Sequence, residues 1–436
     1  MLPNGAVAYL VEDHDLPLIN VSTIVRTATQ AAGKEVWRQS PASDKGAPRK
    51  TAEQFGKHDF LAAQFPAAGG TQGGITRCLA KDIDCGLGLL FEMLKTPGFQ
   101  ADRLALAKSQ ILQQMERRND NTDAIEDREW DRLMRGSSHF TTRPSTKSSI
   151  EAITRDDMIA FHKKYYQPGS FIFAISGDFK TSEMLAKLEA VMRGWEPGKE
   201  TVPEVPKPDF ASVAGVYVVN KPDVNQGRVT IGHRGTTRDN PDIYALSIMN
   251  DVLGGGGFSS RIMSKVRSDE GLAYSAGSDF SFGVYYPGDF RASFQSKSAS
   301  TAQALDMVLE EISRIRNAKI SAEELRERRA TRPRFSALLR DRRPIAGTFA
   351  QDEYAAAHDF WDKYRDRVQA SPRTKCCASL KYCRPINWWC SSSATSTTSR
   401  RQPRPAAAFA YENLQGRSGR RIPLPDPLTM TYPSQP

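Results

Sequence analysis

The sequence predicts an α+β chain built as two similar halves, and three observations carry that reading. The 436 residues are too many for one ordinary domain and suit two of about 200 residues each. Each half opens on two β-type runs, continues through amphipathic helical stretches, and reaches a Lys-Tyr-x-x-Pro sequence, at Lys164–Pro168 and again at Lys381–Pro385, 217 residues on. Between the halves, Pro197, Pro203, Pro206 and Pro208 stand among Glu and Lys. This reads as an extended linker over 197–210, leaving 1–196 and 211–436 as the two domains.

The elements follow in order. Ala6–Glu12 and Leu18–Arg26 are rich in Val, Ile and Leu and read as strands separated by Pro17. Residues 36–70 are rich in Pro, Ala, Gly, Lys and Gln and sustain neither a period of 2 nor one of 3.6. Pattern returns near Arg77. Asp82–Lys95 forms an apolar helix around Leu87, Leu90, Phe91 and Leu94, closed by Pro97-Gly98. Over 101–118, Leu104, Ala107, Ile111 and Met115 mark one face of an amphipathic helix. Thr154 to Asp157 resembles a helix start, with the helix running to Tyr166 before Pro168. Phe171–Ser176 is a buried strand, and Leu185, Leu188 and Met192 mark another helix. In the second half, Val216–Val219 and Val229–Gly232 read as strands, Ile243–Leu253 as a helix, and Gly254–Gly257 as a loop. Thr301–Asn317 is a helix with Leu305, Val308, Ile312 and Ile315 in register, and Ser321 to Glu324 is a capping box. After Pro385 stand Trp388-Trp389-Cys390-Ser391 and a Ser/Thr/Arg/Pro tract, where the strand expected by analogy with 171–176 is missing.

Composition narrows the function classes. At 39% hydrophobic and 25% charged, wholesale disorder is excluded, and no apolar run of about 18 residues exists to span a membrane. Met1–Gly5 lacks the basic and apolar regions of a signal peptide, so the compartment stays unassigned; a truncated N-terminus would leave the bacterial periplasm open. The net charge of +10 invites a nucleic-acid reading, but it is local. Ser371–Pro436 carries ten basic residues against two acidic ones and Val36–Arg77 six against three, which leaves the rest of the chain at −1. The charge therefore argues against a nucleic-acid partner.

The six histidines are at 14, 58, 139, 162, 233 and 358, with no two four apart. Neither His-Glu-x-x-His nor its inverse, which set two imidazoles one helical turn apart on a zinc ion, can occur. His14 and His162 read as surface residues. Cys376, Cys377, Cys383 and Cys390 cluster without the C-x₂-C spacing of zinc knuckles; a zinc site, a disulfide and a segment without selected structure stay open. The Gly254–Gly257 loop has no Gly-Lys-Ser/Thr after it and reads as a close backbone turn rather than a phosphate loop. By spacing alone, Arg267 and Tyr274 are an exposed Arg and a half-buried Tyr.

Taken together, Asn225-Gln226 to Gly232, Leu253–Arg261 with its four glycines, Val266-Arg267 and Gly271–Ser275 resemble the C-terminal domain of the pitrilysin/insulinase family of zinc metallopeptidases. Leu2–Gly5, Ile153–Asp157, Tyr165–Pro168, Gly177-Asp178 and Pro423–Leu428 are similar to other parts of that family, so the likeness runs over about residues 1–35, 72–370 and 421–434. The resemblance implies two homologous α+β domains, each an antiparallel sheet packed against helices, forming half of a closed chamber. It implies an extended peptide substrate that adds a strand to a sheet edge. It also implies that Arg267 and Tyr274 hold this peptide by donating to a carbonyl or developing oxyanion.

The catalytic half of the family pattern does not carry over. His-x-x-Glu-His would fall near 35–45, where Val36–Pro41 hold no His. The family's later Glu ligand and its auxiliary Glu align with Gln114 and Ala107. The expectation is a chain with no catalytic residues, metal ligands or cofactor of its own. It would be a non-catalytic, peptide-binding subunit of the processing-peptidase type that pairs with a homologous zinc-bearing subunit. The alternatives are an autonomous zinc metalloendopeptidase with atypical ligands and a basic nucleic-acid-binding protein. The loss of pattern at 36–70 and 371–420, with recovery after each, reads as local shifts of reading frame superimposed on that descent.

Overall fold

The computed structural model describes residues 1–26, 72–196, 198, 204–209, 215–221, 223–331, 343–354, 360–373, 387–392 and 428–429. In chain order, the strands of its two main sheets are β1 (Val7–Glu12), β2 (Leu18–Val25), β3 (Gln72–Leu79), β4 (Phe171–Gly177), β5 (Val216–Asn220), β6 (Gln226–Arg234), β7 (Ala273–Phe280), β8 (Asp289–Lys297), β9 (Asn387–Ser392) and β10 (Leu428–Thr429). The helices are α1 (Ile83–Lys95), α2 (Ala101–Glu116), α3 (Thr122–Arg135), α4 (Lys147–Glu151), α5 (Arg155–Tyr165), α6 (Thr181–Met192), α7 (Ile243–Asn250), α8 (Thr301–Asn317), α9 (Ala322–Thr331), α10 (Arg343–Tyr354) and α11 (Phe360–Ala370). The chain forms two compact units: residues 1–117, 144–206 and 333–365 make one, and 118–143, 207–332 and 366–436 the other.

In the first unit the strand order is β1-β4-β2-β3. β4 runs parallel to β1 and antiparallel to β2, and β2 is antiparallel to β3. β4 reads Phe-Ile-Phe-Ala-Ile-Ser-Gly without alternation because both of its faces are covered, and every residue in it is buried. Phe171, Phe173 and Ile175 face the main core with Leu87, Leu90 and Phe91 of α1 and Met184 and Leu188 of α6. Rings stack there, Phe91 on Phe173 at 5.5 Å and Phe171 on Phe173 at 5.8 Å between centroids. Ile172 and Ala174 face the other way, against Ala346 and Ala350 of α10. Glu353 of α10 then accepts hydrogen bonds from the Tyr9 hydroxyl at 2.8 Å and Arg26 Nη2 at 3.1 Å.

Helix α5 starts where its capping box predicts: the Asp157 N–H donates to Thr154 Oγ1 at 3.1 Å, and the Thr154 N–H donates to the Asp157 carboxylate at 2.9 Å. On α2, Leu104, Ile111 and Met115 are half-buried against the same core, and Ala107 is half-buried on the same face. His14 is exposed, as expected, with Nδ1 2.8 Å from Asp178 Oδ1. His162 corrects the sequence reading. It lies on the inward face of α5, buried, between the rings of Phe99 and Tyr166, and its Nε2 donates to the Leu94 carbonyl at 2.7 Å. A histidine satisfied this way is core material, and polarity alone did not reveal it.

In the second unit the order is β10-β5-β9-β6-β8-β7. β9 is parallel to β5 and antiparallel to β6, the relation β4 has to β1 and β2. The strand that the sequence reading declared missing is therefore present at 387–392, with Trp388 paired to Val216 on one side and Ile231 on the other. Two adjacent tryptophans suit a strand well. The α+β class holds, and both sheets are mainly antiparallel with parallel pairs on β1 and β5. Parallel pairing follows from the long connections that return the chain to each of these strands.

Helix α3, from before the proline-rich segment, lies on β6. Glu126 accepts from Arg228 Nε at 2.6 Å and from Thr230 Oγ1, and Trp130 Nε1 donates to the Asp289 carboxylate. Helix α8 presents Val308, Ile312 and Ile315 to the core, and α9 begins on its predicted capping box, with the Glu324 N–H donating to Ser321 Oγ at 3.0 Å. No helix among the described residues is long and apolar enough to cross a membrane. Residues 36–70, Cys376, Cys377, Cys383 and the Lys381–Pro385 sequence lie outside the described residues.

Candidate functional site

The glycine loop and the residues that follow it form the site, all within the second unit. Helix α7 widens after Asn250 into a π-helical turn, Asp251–Gly255, in which the Gly256 N–H reaches back to the Asp251 carbonyl at 3.0 Å. Such one-turn bulges in helices occur frequently at functional sites. Gly254 lies directly against β7: a Cβ there would stand 2.3 Å from the Ser278 backbone nitrogen. Asn250 and Ser278 close the same junction, with Ser278 Oγ donating to Asn250 Oδ1 at 2.8 Å. The glycines therefore make a close backbone turn, as the sequence indicated.

Past the loop, the short helix Arg261–Met263 widens into a second π-helical segment, Ser264–Asp269. Gly271 then takes φ +63°, a conformation that β-carbons disfavour, and turns the chain into β7. This helix end, turn and strand start explain why residues seven apart meet. The Arg267 guanidinium carbon lies 5.5 Å from the centroid of the Tyr274 ring and 4.9 Å from that of Phe258. Both distances are in cation–π range. Tyr274 is 83% exposed and Arg267 half-buried, the reverse of the expectation from spacing alone. Among the described residues no ion pair of Arg267 is seen, and its guanidinium is bordered by the two rings.

Helix α9 braces this loop from beneath. Arg328, buried, donates to the Ser259 carbonyl at 2.8 Å and Ser259 Oγ at 2.9 Å, and reaches the Gly256 carbonyl at 3.4 Å. Arg261 makes a two-pronged pair with Glu324, at 2.7 and 2.9 Å. Burial alone would push the Glu324 carboxyl up. Hydrogen bonds from Arg261 and the Ser321 N–H, with the charge of Arg261, outweigh that and hold it at about 2. Sequence reasoning quoted Phe258 only as part of a motif and missed Arg328 and the Arg261–Glu324 pair. The capping box at Ser321 was the available signal for Glu324, but nothing local pointed to its partner 63 residues earlier.

Gln114 and Ala107 lie on α2 in the first unit, Gln114 exposed and Ala107 half-buried. Zinc takes Cys, His, Asp or Glu ligands, so neither side chain supplies one. No group of three or more His, Cys, Asp or Glu among the described residues could hold a metal ion. The side chains at 107 and 114 thus do not fit a zinc site of the family type.

Residues 152–331 match the family described as the peptidase M16 inactive domain. An uncharacterized zinc protease of Rickettsia bellii is 25% identical over 246 residues, covering 54% of this chain and 57% of that protein. One from Mycobacterium leprae is 26% identical over 274 residues, with coverage of 57% and 60%. The non-peptidase homolog YmxG of Helicobacter pylori is 28% identical over 228 residues, with coverage of 50% and 51%. The matches thus span between half and three-fifths of these relatives. In fold, the chain is similar to a peptidase M16 inactive domain protein from Pseudomonas fluorescens, with a TM-score of 0.80, 22% identity, and coverage of 91% of this chain and 98% of that one. It is also similar to the periplasmic protease PqqL of Escherichia coli, with a TM-score of 0.69, 14% identity, and coverage of 89% of this chain and 44% of that one. The loop, Arg267 and Tyr274 lie inside the matched residues 152–331, the part of the chain that is similar to the domain described as inactive.

Proposed function

We propose that this chain is a non-catalytic subunit that binds an extended peptide through Arg267 and Tyr274 and pairs with a zinc-bearing homologue, which performs the hydrolysis. The carrying observation is the pair itself: a guanidinium oriented by two rings, with no carboxylate on it among the described residues. A carbonyl of a bound peptide supplies the acceptor this arrangement lacks, and the exposed Tyr274 hydroxyl is a second donor beside it. The sequence argues against autonomous chemistry, since Val36–Pro41, Ala107 and Gln114 supply neither the ligands nor the general base of the family motif. The relative named non-peptidase homolog supports the same reading.

Pairing is supported by chain length. PqqL is more than twice as long as the region similar to this chain, and the first half of PqqL by itself is matched over 91% of its length. A single half of that protease with the size and fold of this chain is consistent with a second chain supplying the other half here. The test is to purify this chain, measure its metal content and peptide cleavage alone, and repeat the cleavage with a zinc-bearing homologue added. The proposal expects no stoichiometric zinc and no cleavage alone, and cleavage in the mixture that falls when Arg267→Met is introduced. Stoichiometric zinc with activity in the single chain would refute it in favour of an autonomous metallopeptidase.

A further inference from the structure

Phe258 is a large apolar side chain with 71% of its surface exposed, at the tip of a loop that four consecutive glycines would ordinarily leave loose. The loop is instead held at three places. Gly254 is wedged against β7, Arg328 holds the carbonyls of Gly256 and Ser259, and Arg261 is tied to Glu324. A phenylalanine on a loose loop would fold down onto nearby apolar surface, because burying the ring is favourable. Here the brace denies it that relaxation and keeps the ring in solvent beside Arg267, 4.9 Å from its guanidinium carbon. Phe258 and Tyr274 thus border one cation with two solvent-facing rings, and the Arg267 donors lie beside them.

We propose that Phe258 is a specificity-determining residue of this site, whose ring receives a large apolar side chain of the bound peptide next to the carbonyl held by Arg267. The inference rests on the peptide-binding reading above. An apolar side chain fits better than an acidic one, because the negative face of an aromatic ring repels a carboxylate while dispersion favours another ring or a branched alkyl group. Successive side chains of an extended peptide point to opposite faces, so a single ring reads one position rather than the segment as a whole. A braced loop adds to affinity, since little ordering remains to be done on binding.

The test uses the full chain and fluorescein-labelled decapeptides of one Gly/Ser/Thr background, with a single central Phe, Leu, Ala or Asp, read by fluorescence anisotropy. The wild type is expected to bind the Phe and Leu peptides roughly tenfold more tightly than the Ala peptide. Phe258→Ala should erase that preference, bringing the Phe and Leu peptides down to the affinity of the Ala peptide in the same variant, and Phe258→Leu should retain most of it. The melting temperature should not move in either variant, because the ring is exposed. Retention of the preference in Phe258→Ala, an equal loss for all four peptides, or a preference for Asp would overturn the assignment of Phe258. Absence of binding by the wild type to any of the four, or binding indifferent to Arg267→Met, would instead overturn the peptide-binding reading on which it rests.

Discussion

Glu353→Ala tests whether a helix from late in the sequence closes the first sheet. Glu353 lies on α10, 327 residues after Arg26, and accepts three hydrogen bonds from two side chains: its carboxylate accepts from Tyr9 and Arg26, and its carbonyl accepts from Arg26 at 3.0 Å. Removing the carboxylate leaves the carbonyl bond in place. Two bonds to a charged acceptor are lost, each worth about 1.5–3 kcal/mol, and partial exposure brings the expected loss to about 2–4 kcal/mol. Tyr9 supplies a second readout. Its hydroxyl is pushed up to about 12, first by burial and then by the hydrogen bond to Glu353 and the charge of that carboxylate. A raised value in the folded state stabilises fully below the ordinary tyrosine value of 10.0 and is lost as pH climbs from there towards 12. Glu353→Ala should therefore lower the urea midpoint at neutral pH and shift one tyrosine in an ultraviolet titration back towards its ordinary value. Glu353→Gln, which keeps an acceptor without the charge, should fall between. An unchanged midpoint together with an unchanged tyrosine titration would refute the placement of α10 on this sheet.

Three further outcomes follow from the same structure. Gly254→Ala sets a methyl 2.3 Å from the backbone nitrogen of Ser278, so it should cost at least about 1–3 kcal/mol and abolish peptide binding, whereas Gly88→Ala, with nothing within 4 Å in α1, should stabilise by about 0.5–1 kcal/mol; urea melts of both separate packing from propensity. Arg328→Met should speed amide hydrogen exchange at 254–260 while exchange in α8 stays unchanged, because Arg328 holds the loop carbonyls. In a proton NMR titration His14 should protonate above the ordinary value of 6.5, raised by its hydrogen bond to Asp178, and His162 and His233 below it, both lowered by burial. The two buried imidazoles contribute stability that is complete above their ordinary value of 6.5 and declines as pH falls below it, since the unfolded chain then binds the protons the core refuses.

Periodicity made most of the frame legible. The strands at 7–12, 18–25 and 171–177 and the helix at 301–317 carry their burial pattern in consecutive residues, and the capping boxes at Thr154 and Ser321 mark helix starts by side chains three apart. Pairing across long separations was not legible. Nothing near Glu353 names Tyr9, and nothing near Trp130 names Asp289. The strand at 387–392 was passed over because it lies between stretches without pattern, although its register with β5 and β6 restores the symmetry of the two sheets. In the site, Arg267 and Tyr274 were found through a motif. The brace from α9 was not, because an arginine reaching two carbonyls of a distant loop leaves no spacing to read.

The account rests most directly on one measurement: isothermal titration of the purified full chain with an extended peptide, with the zinc content of the same sample determined. The account predicts saturable binding without stoichiometric zinc and without cleavage, weakened at least about tenfold by Arg267→Met through loss of charge-assisted hydrogen bonds. Zinc at one equivalent with turnover of the peptide, or binding that Arg267→Met leaves untouched, would contradict it.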